Sequence, residues 1–141
     1  MDAKGRVAMP SKYREGLIEA SGGKMVATIH LVSKCLLIYP LPVWEIIENE
    51  LQELPTLKPE VARIQRLVLG FASDIEQDGS GRVLLPSSLR EHASLDKKVV
   101  LVGQGKKFEL WDELLWEEEK RAAQLQTTEQ SMPDEVISIS F

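Results

Sequence analysis

Apolar residues occur in short runs at four places where turn residues bound them, and such runs predict strands. Two runs face each other across a short loop in the first half of the chain, and two in the second half. They are Met25–Ile29 with Cys35–Tyr39, joined by 30–34, and Val99–Val102 with Phe108–Trp111, joined by 103–105 and neighbouring residues. Each pair is predicted to form a hairpin.

Elsewhere apolar residues recur at three- and four-residue spacing, which predicts amphipathic helices. The predicted helices are Ser11–Glu19, Pro42–Leu54, Glu60–Ala72 and Asp112 to about Leu125. The polar stretch 127–135 predicts a flexible tail. The last residues, 136–141, alternate weakly and leave a docked strand or a loose end open.

The chain contains one unit twice. Asp2–Glu15 and Asp78–Glu91 are identical at eight of fourteen positions when shifted by 76 residues. Each unit predicts an Asp-Gly turn, an Arg, a short strand (Val7–Met9 or Val83–Leu85) that a Pro ends, and a helix capped by Ser11 or Ser87. An internal duplication follows, because repeats of this length fix the architecture.

A second match extends the duplication. Cys35–Trp44 aligns with Lys107–Trp116 at a shift of 72 residues. Each half is therefore predicted to run turn, strand, helix, hairpin, aromatic residue and second helix.

Composition fits an ordinary globular protein, with 43% hydrophobic and 28% charged residues among 141. No apolar run approaches the about 20 residues that span a bilayer, and no apolar signal sequence is visible. The single cysteine excludes an internal disulfide and agrees with a reducing cytoplasm. No membrane partner is predicted.

The net charge of −5 is unevenly distributed. Residues 1–34 carry six basic and three acidic side chains, a charge of +3, whereas residues 109–141 carry nine acidic and two basic ones, a charge of −7. A local basic face can bind phosphate although the chain as a whole is acidic. A solvated surface of mixed charge is the alternative.

Other chemistry finds little support. His30 and His92 lack Cys or His partners at metal-ligand spacing, and Cys35 is predicted to be a packed thiol. Asp74, Glu76, Asp78 and Gly79 resemble the start of a calcium loop, but Leu85 occupies its twelfth position. Phosphate-binding loops, nucleophile elbows and dinucleotide fingerprints are absent. We therefore predict no enzyme activity, cofactor, metal or small-molecule substrate.

Two further features are predicted to be structural. The acidic run Glu117–Glu119 is interpreted as a solvated helix face. Trp44, Trp111 and Trp116 adjoin apolar residues, so packing or an interface is favoured over base stacking.

A basic set on the first unit is the candidate binding site: Lys4, Arg6, Lys12 and Arg14. Such side chains can hold phosphates, and an Arg can bind guanine bidentately in the major groove. Alternatively, Arg6 pairs with Asp2 or with a neighbouring chain. The second unit keeps Arg82 and Arg90 but has Ser80 and Ser88 in place of the two lysines, so it is open to interpretation as a structural or subunit-interface twin.

Together these motifs resemble the MraZ family of bacterial transcriptional regulators, which are built from two AbrB-like swapped-hairpin halves. The resemblance is carried by both D-x-x-G-R-x-x-x-P-x-x-x-R-E units, LLIYPLPVWE (36–45), the RxQRLVLG helix (63–70) and VLVGQxxKFELWD (100–112). It implies a mainly β fold with peripheral helices (α+β), internally duplicated as an AbrB-like swapped-hairpin or double-split β-barrel.

The resemblance also implies a function. It implies a cytoplasmic, nucleoid-associated regulator that binds double-stranded DNA at short G-rich direct repeats. These repeats would lie in its own promoter, upstream of a division and cell-wall gene cluster, and the protein would act as a repressor in the form of a ring-shaped homo-oligomer. The implied contacts are Lys4, Arg6, Lys12 and Arg14, then Arg82 and Arg90. An AbrB- or antitoxin-like protein-interaction scaffold is the alternative.

Repeat and resemblance divide the chain into four parts. Residues 1–55 form the first half with its helix, 56–73 a linking helix, 74–125 the second half with its helix, and 126–141 a flexible tail. Family members usually carry a strand before the first unit, where this sequence has only Met1. A first half without that outer strand, and less stable for it, is expected.

Overall fold

The computed structural model describes residues 1–141 as a mixed α and β protein. Its strands are β1 (Arg6–Ala8), β2 (Lys24–Ile29), β3 (Leu36–Pro40), β4 (Ser73–Glu76), β5 (Arg82–Leu84), β6 (Val99–Gly103) and β7 (Phe108–Asp112). Its helices are α1 (Ser11–Ser21), α2 (Leu41–Glu53), α3 (Pro59–Phe71), α4 (Ser87–His92), α5 (Glu113–Gln126) and α6 (Asp134–Ile137).

The strands form two antiparallel sheets. One has five strands in the order β4-β2-β3-β7-β6, and the other is a ribbon of β1 and β5 alone. The two predicted hairpins, β2–β3 and β6–β7, meet at the centre of the larger sheet, where Leu37 lies opposite Glu109. Both sheets therefore join the first half of the chain to the second.

One core links the ribbon, the larger sheet, α1 and α4. It contains 15 buried residues from both halves, and Met9 and Leu36 of the first half and Leu85 and Leu110 of the second are at most 1% exposed. Burial of this apolar surface is the main force that holds the two halves together.

The opposite face of the sheet is covered by α2 and α3. Val26, Tyr39, Trp44 and Val68 form a second, smaller core there. The buried Thr28 hydroxyl donates to the Val68 carbonyl at 2.7 Å. That carbonyl is in the last turn of α3, where helix carbonyls lack intrahelical partners, so Thr28 anchors the helix end to the sheet.

The predicted hairpins and long helices are confirmed, with shifts of one or two residues at several ends. The predicted caps are wrong. Ser11 and Ser87 are already helical, and the N-cap residues are Pro10 and Pro86, with ψ of 139° and 147°. The proline ring has no hydrogen-bond acceptor, so neither helix has a side-chain cap.

Three further features were not predicted, were left open or differ from expectation. The polar segment β4 pairs with β2 as a strand that the sequence pattern did not predict, since only Ile75 in it is buried. Of the two alternatives left open for 136–141, the docked strand does not form: Val136 and Ile137 end the short helix α6, and 138–141 are in neither helix nor strand. Helices hold more residues than strands, and no closed barrel forms, because β1 and β5 pair only with each other. None of the helices has the length and apolar character to span a membrane.

Candidate nucleic-acid interface

The interface begins with the turn around Asp2. One carboxylate oxygen accepts the backbone amides of Lys4 at 3.0 Å and Arg6 at 2.9 Å, and the other accepts Arg6 Nε at 2.8 Å. These bonds, the Arg6 amide first, lower the pKa of Asp2 to about 2. Asp2 is thus the acceptor on which the turn is built, and it fixes the start of the Arg6 side chain.

The second unit repeats this turn around Asp78. Its carboxylate accepts the amides of Ser80 at 2.8 Å and Arg82 at 2.9 Å. These amides, Arg82 first, lower the pKa of Asp78, and the charges of Arg82 and Arg6 lower it further. Because Arg6 acts on Asp78, the two turns are electrostatic neighbours.

The ribbon carries both turns. Val7 lies opposite Val83, with Arg6 opposite Leu84 and Ala8 opposite Arg82. Side chains alternate across a strand, so Val7 and Val83 are buried while the other four lie on the outer face. We call this surface, made by Arg6, Ala8, Arg82 and Leu84, the ribbon face.

The two arginines of the ribbon face are held differently. Arg6 makes a hydrogen-bonded ion pair with Asp2, which was one of the two alternatives left open. Arg82 Nε lies 3.5 Å from Asp78 and is buried without a hydrogen-bond partner. Their side chains are 33% and 38% exposed, so each is partly open to solvent, although Arg82 Nε is not.

Only the first unit has lysines before and after its ribbon strand. Lys4 is exposed in the Asp2 turn, and Lys12 is exposed in the first turn of α1. The Lys12 ammonium lies 4.9 Å from the centroid of the Tyr13 ring, a cation–π distance. The corresponding positions of the second unit are Ser80 and Ser88, so the backbone is duplicated but the flanking charge is not.

Arg14 and Arg90 are partly buried and face inward. Arg14 Nε donates to the Met9 carbonyl at 2.8 Å, and Arg90 Nε donates to the Leu85 carbonyl at 3.1 Å. Arg6 and Arg82 thus share the ribbon face, and Lys4 lies in the turn before Arg6. The guanidinium groups of Arg14 and Arg90 lie against the backbone instead. Direct DNA contact by any of the six residues stays a prediction.

Sequence reasoning missed two members of the ribbon face. Ala8 and Leu84 are exposed, Leu84 at 57%, and lie in strands for which no outer face was predicted. Strict alternation around the buried Val7 and Val83 was the available signal.

Other candidate chemistry is limited. His30 Nδ1 accepts the amides of Val32 and Ser33, at 3.1 and 2.9 Å, and so completes a loop. Cys35 is fully buried, and burial raises the pKa of its thiol to about 12, which makes it unreactive. No group of three His, Cys, Asp or Glu side chains is arranged to hold a metal.

Comparison with protein families gives one match, to the family described as "MraZ protein, putative antitoxin-like". It covers residues 1–67 and again 68–135, so the family pattern occurs twice and spans nearly the whole chain.

Several curated relatives carry the name "Transcriptional regulator MraZ". The one from Alkalilimnicola ehrlichii is 50% identical over 141 residues, which are 100% of this chain and 94% of the relative. The one from Pseudomonas fluorescens is 53% identical over 138 residues, 96% of this chain and 91% of the relative. The one from Hydrogenovibrio crunogenus is 57% identical over 117 residues, 83% and 77% of the two chains.

Proposed function

The chain belongs to the MraZ family, and we propose that it is a transcription regulator that binds double-stranded DNA through the ribbon face. The main support for this proposal is that Arg6 and Arg82 lie on the outer face of a two-stranded antiparallel ribbon. A two-stranded ribbon fits the major groove of B-DNA, and an Arg there can bind guanine O6 and N7 together. Lys4 and Lys12 are exposed on the same unit as Arg6, and in this proposal they contact phosphates beside the groove.

The fold proposed for this role is two AbrB-like halves with swapped hairpins, in 1–55 and 74–125, linked through 56–73. The pairing of β1 with β5 and of β3 with β7 supports it, since each sheet takes equivalent strands from both halves. In the same proposal, residues 126–141 form a flexible tail.

The proposed targets are short G-rich direct repeats in the gene's own promoter, ahead of a division and cell-wall cluster. The regulator would repress transcription by covering this DNA as a ring-shaped homo-oligomer. It would be cytoplasmic and associated with the nucleoid. Val32 and Leu57 are 92% and 96% exposed. These apolar side chains supply surface for self-association. A ring repeats the ribbon face, so a second contact on one duplex gains from high effective concentration.

Fluorescence anisotropy tests the DNA proposal. A labelled duplex with spaced G-rich repeats is titrated beside a scrambled duplex, at low and physiological salt. We expect the protein to prefer the duplex with repeats and to bind it with a steep dependence on salt. Arg6→Ala should lower the binding free energy by about 1–3 kcal/mol, the value of one bidentate Arg–guanine contact. Arg63→Ala, which changes an exposed arginine on α3, is the matched control and should bind normally.

A protein-interaction scaffold is the second candidate. The tail favours it, because Ile137, Ile139 and Phe141 are 63%, 55% and 100% exposed and offer an apolar segment to a partner. Weak, equal binding to both duplexes, unchanged by Arg6→Ala, would reject the DNA proposal in favour of the scaffold. Analytical ultracentrifugation of the same samples tests the ring separately.

A further inference from the structure

Two of the six predicted contact residues cover the turn of the opposite half. The Arg14 side chain lies against Gly81, and the Arg90 side chain lies against Gly5. The same 76-residue shift relates the two arginines and the two glycines, so this contact occurs twice. It crosses between halves each time.

The fit is close on both sides. A Cβ atom built on Gly5 would lie 2.7 Å from Arg90 Nε and 2.8 Å from its Cζ, distances that real Cβ atoms essentially never show. A Cβ on Gly81 would likewise overlap Arg14. Both glycines also have positive φ, +87° and +76°, so each turn needs glycine for its conformation, and a Cβ atom there would push the arginine side chain away from the turn.

Each arginine also bonds the residue that follows the ribbon strand of its own half. Arg14 Nε holds the Met9 carbonyl, while the Met9 amide donates to the Gly81 carbonyl at 2.8 Å. Arg90 Nε holds the Leu85 carbonyl, while the Leu85 amide donates to the Gly5 carbonyl at 3.0 Å. Each guanidinium thus joins the end of its own strand to the other half's turn.

The covered glycines directly precede the arginines of the ribbon face. Gly81 is followed by Arg82, and Gly5 by Arg6. We propose that Arg14 and Arg90 are positioning residues: each holds the Asp-Gly turn of the opposite half so that Arg82 or Arg6 is presented to DNA. This inference rests on the proposed function, and it replaces direct DNA contact as the role of Arg14 and Arg90.

Arginine suits this role for a physical reason. Its guanidinium is planar, so Nε–H can donate in the plane while the flat face lies on a glycine. Lysine keeps the charge but has neither the plane nor the Nε donor. A substitution by lysine therefore separates positioning from simple attraction to phosphate.

Hydrogen exchange of the full-length free protein, followed by mass spectrometry, tests the positioning directly. We expect Arg14→Lys to speed amide exchange in the Asp78–Arg82 turn more than in the Asp2–Arg6 turn. Arg90→Lys should give the reverse pattern. Unchanged exchange, or faster exchange confined to the substituted half, would overturn the inference. This readout does not involve DNA, so it stands apart from failure of the proposed function.

DNA titration over a range of salt concentrations supplies the second arm. Each phosphate contact contributes about −0.9 to the slope of log binding constant against log salt. We expect Arg14→Lys and Arg14→Ala to weaken binding alike, on the order of tenfold, because a displaced Arg82 loses its base contact. Both variants should keep the wild-type salt slope. Wild-type affinity for Arg14→Lys would show that the guanidinium shape is not needed, and a slope shallower by about one for Arg14→Ala would show a phosphate contact. Either result would overturn the inference. Circular dichroism melts identify any variant that is unfolded at the titration temperature, and the lysine variants then carry the test.

Discussion

Val7 and Val83 lie directly opposite each other at the centre of the β1–β5 ribbon, and both side chains are buried. Each is the equivalent of the other under the 76-residue shift, so an approximate two-fold axis passes between them. The axis exchanges Arg6 with Arg82 and Lys4 with Ser80. The ribbon face is therefore symmetric in its arginines and asymmetric in the charge beside them.

The asymmetry predicts that the lysines set how strongly DNA binding depends on salt, and that moving them changes this dependence. Lys4→Ser/Lys12→Ser makes the first unit resemble the second, and Ser80→Lys/Ser88→Lys does the converse. If each lysine contacts one phosphate, the first variant should flatten the salt slope of DNA binding by up to about two, and the second should steepen it by as much. Anisotropy titrations at several salt concentrations measure the slope. Two variants with the wild-type slope would show that neither flank contacts the DNA backbone.

The Asp2 turn predicts acid sensitivity of known sign. The folded protein holds the pKa of Asp2 at about 2, below the usual 3.8, so its contribution to stability is present above pH 3.8 and is lost as the pH falls through 2. Asp2→Asn should lower the melting temperature at pH 7, and the gap from wild type should shrink toward pH 2. Thermal melts at both pH values measure it, with Asp134→Asn in the exposed tail as control. A gap of equal size at both pH values would contradict this role for the carboxylate.

The bond from Thr28 to Val68 predicts a stability effect at a buried site. Thr28→Val keeps the side-chain shape but leaves the Val68 carbonyl without its partner, which should cost about 1–3 kcal/mol in the free energy of unfolding. The exposed Thr127 hydroxyl makes a bond of the same length, 2.7 Å, to the Ala123 carbonyl. Thr127→Val should cost far less, because the Thr127 amide still donates to that carbonyl and water replaces the lost hydroxyl. Chemical denaturation compares the two, and equal losses would count against burial as the cause.

Local patterns in the sequence were enough to predict the duplicated turns. Asp2, Gly5 and Arg6 recur as Asp78, Gly81 and Arg82, and the chemistry of Asp and Gly determines the turn within a few residues. The hairpins followed in the same way from apolar runs and their boundaries. These features depend on contacts that are near in the chain.

The features that sequence reasoning missed depend on contacts that are distant in the chain. Strand β4 is polar and owes its conformation to pairing with β2, which begins at Lys24. Arg14 was grouped with the DNA contacts because it is a cation near Arg6, yet its neighbour Gly81 is 67 residues away along the chain. No local pattern indicates which half of a duplicated chain supplies the partner.

A site-specific crosslink tests the central claim that the ribbon face contacts DNA. The one native cysteine, Cys35, is fully buried, so a photoreactive thiol reagent can be directed to an introduced cysteine. Ala8→Cys places the reagent on the ribbon face, opposite Arg82 and two residues from Arg6, and Ala123→Cys places it on the exposed surface of α5 as control. On irradiation with the repeat-bearing duplex, we expect Ala8→Cys to crosslink to DNA and Ala123→Cys to remain free. Crosslinking from Ala123→Cys alone, or from neither site while DNA is bound, would contradict the ribbon face as the DNA-binding surface.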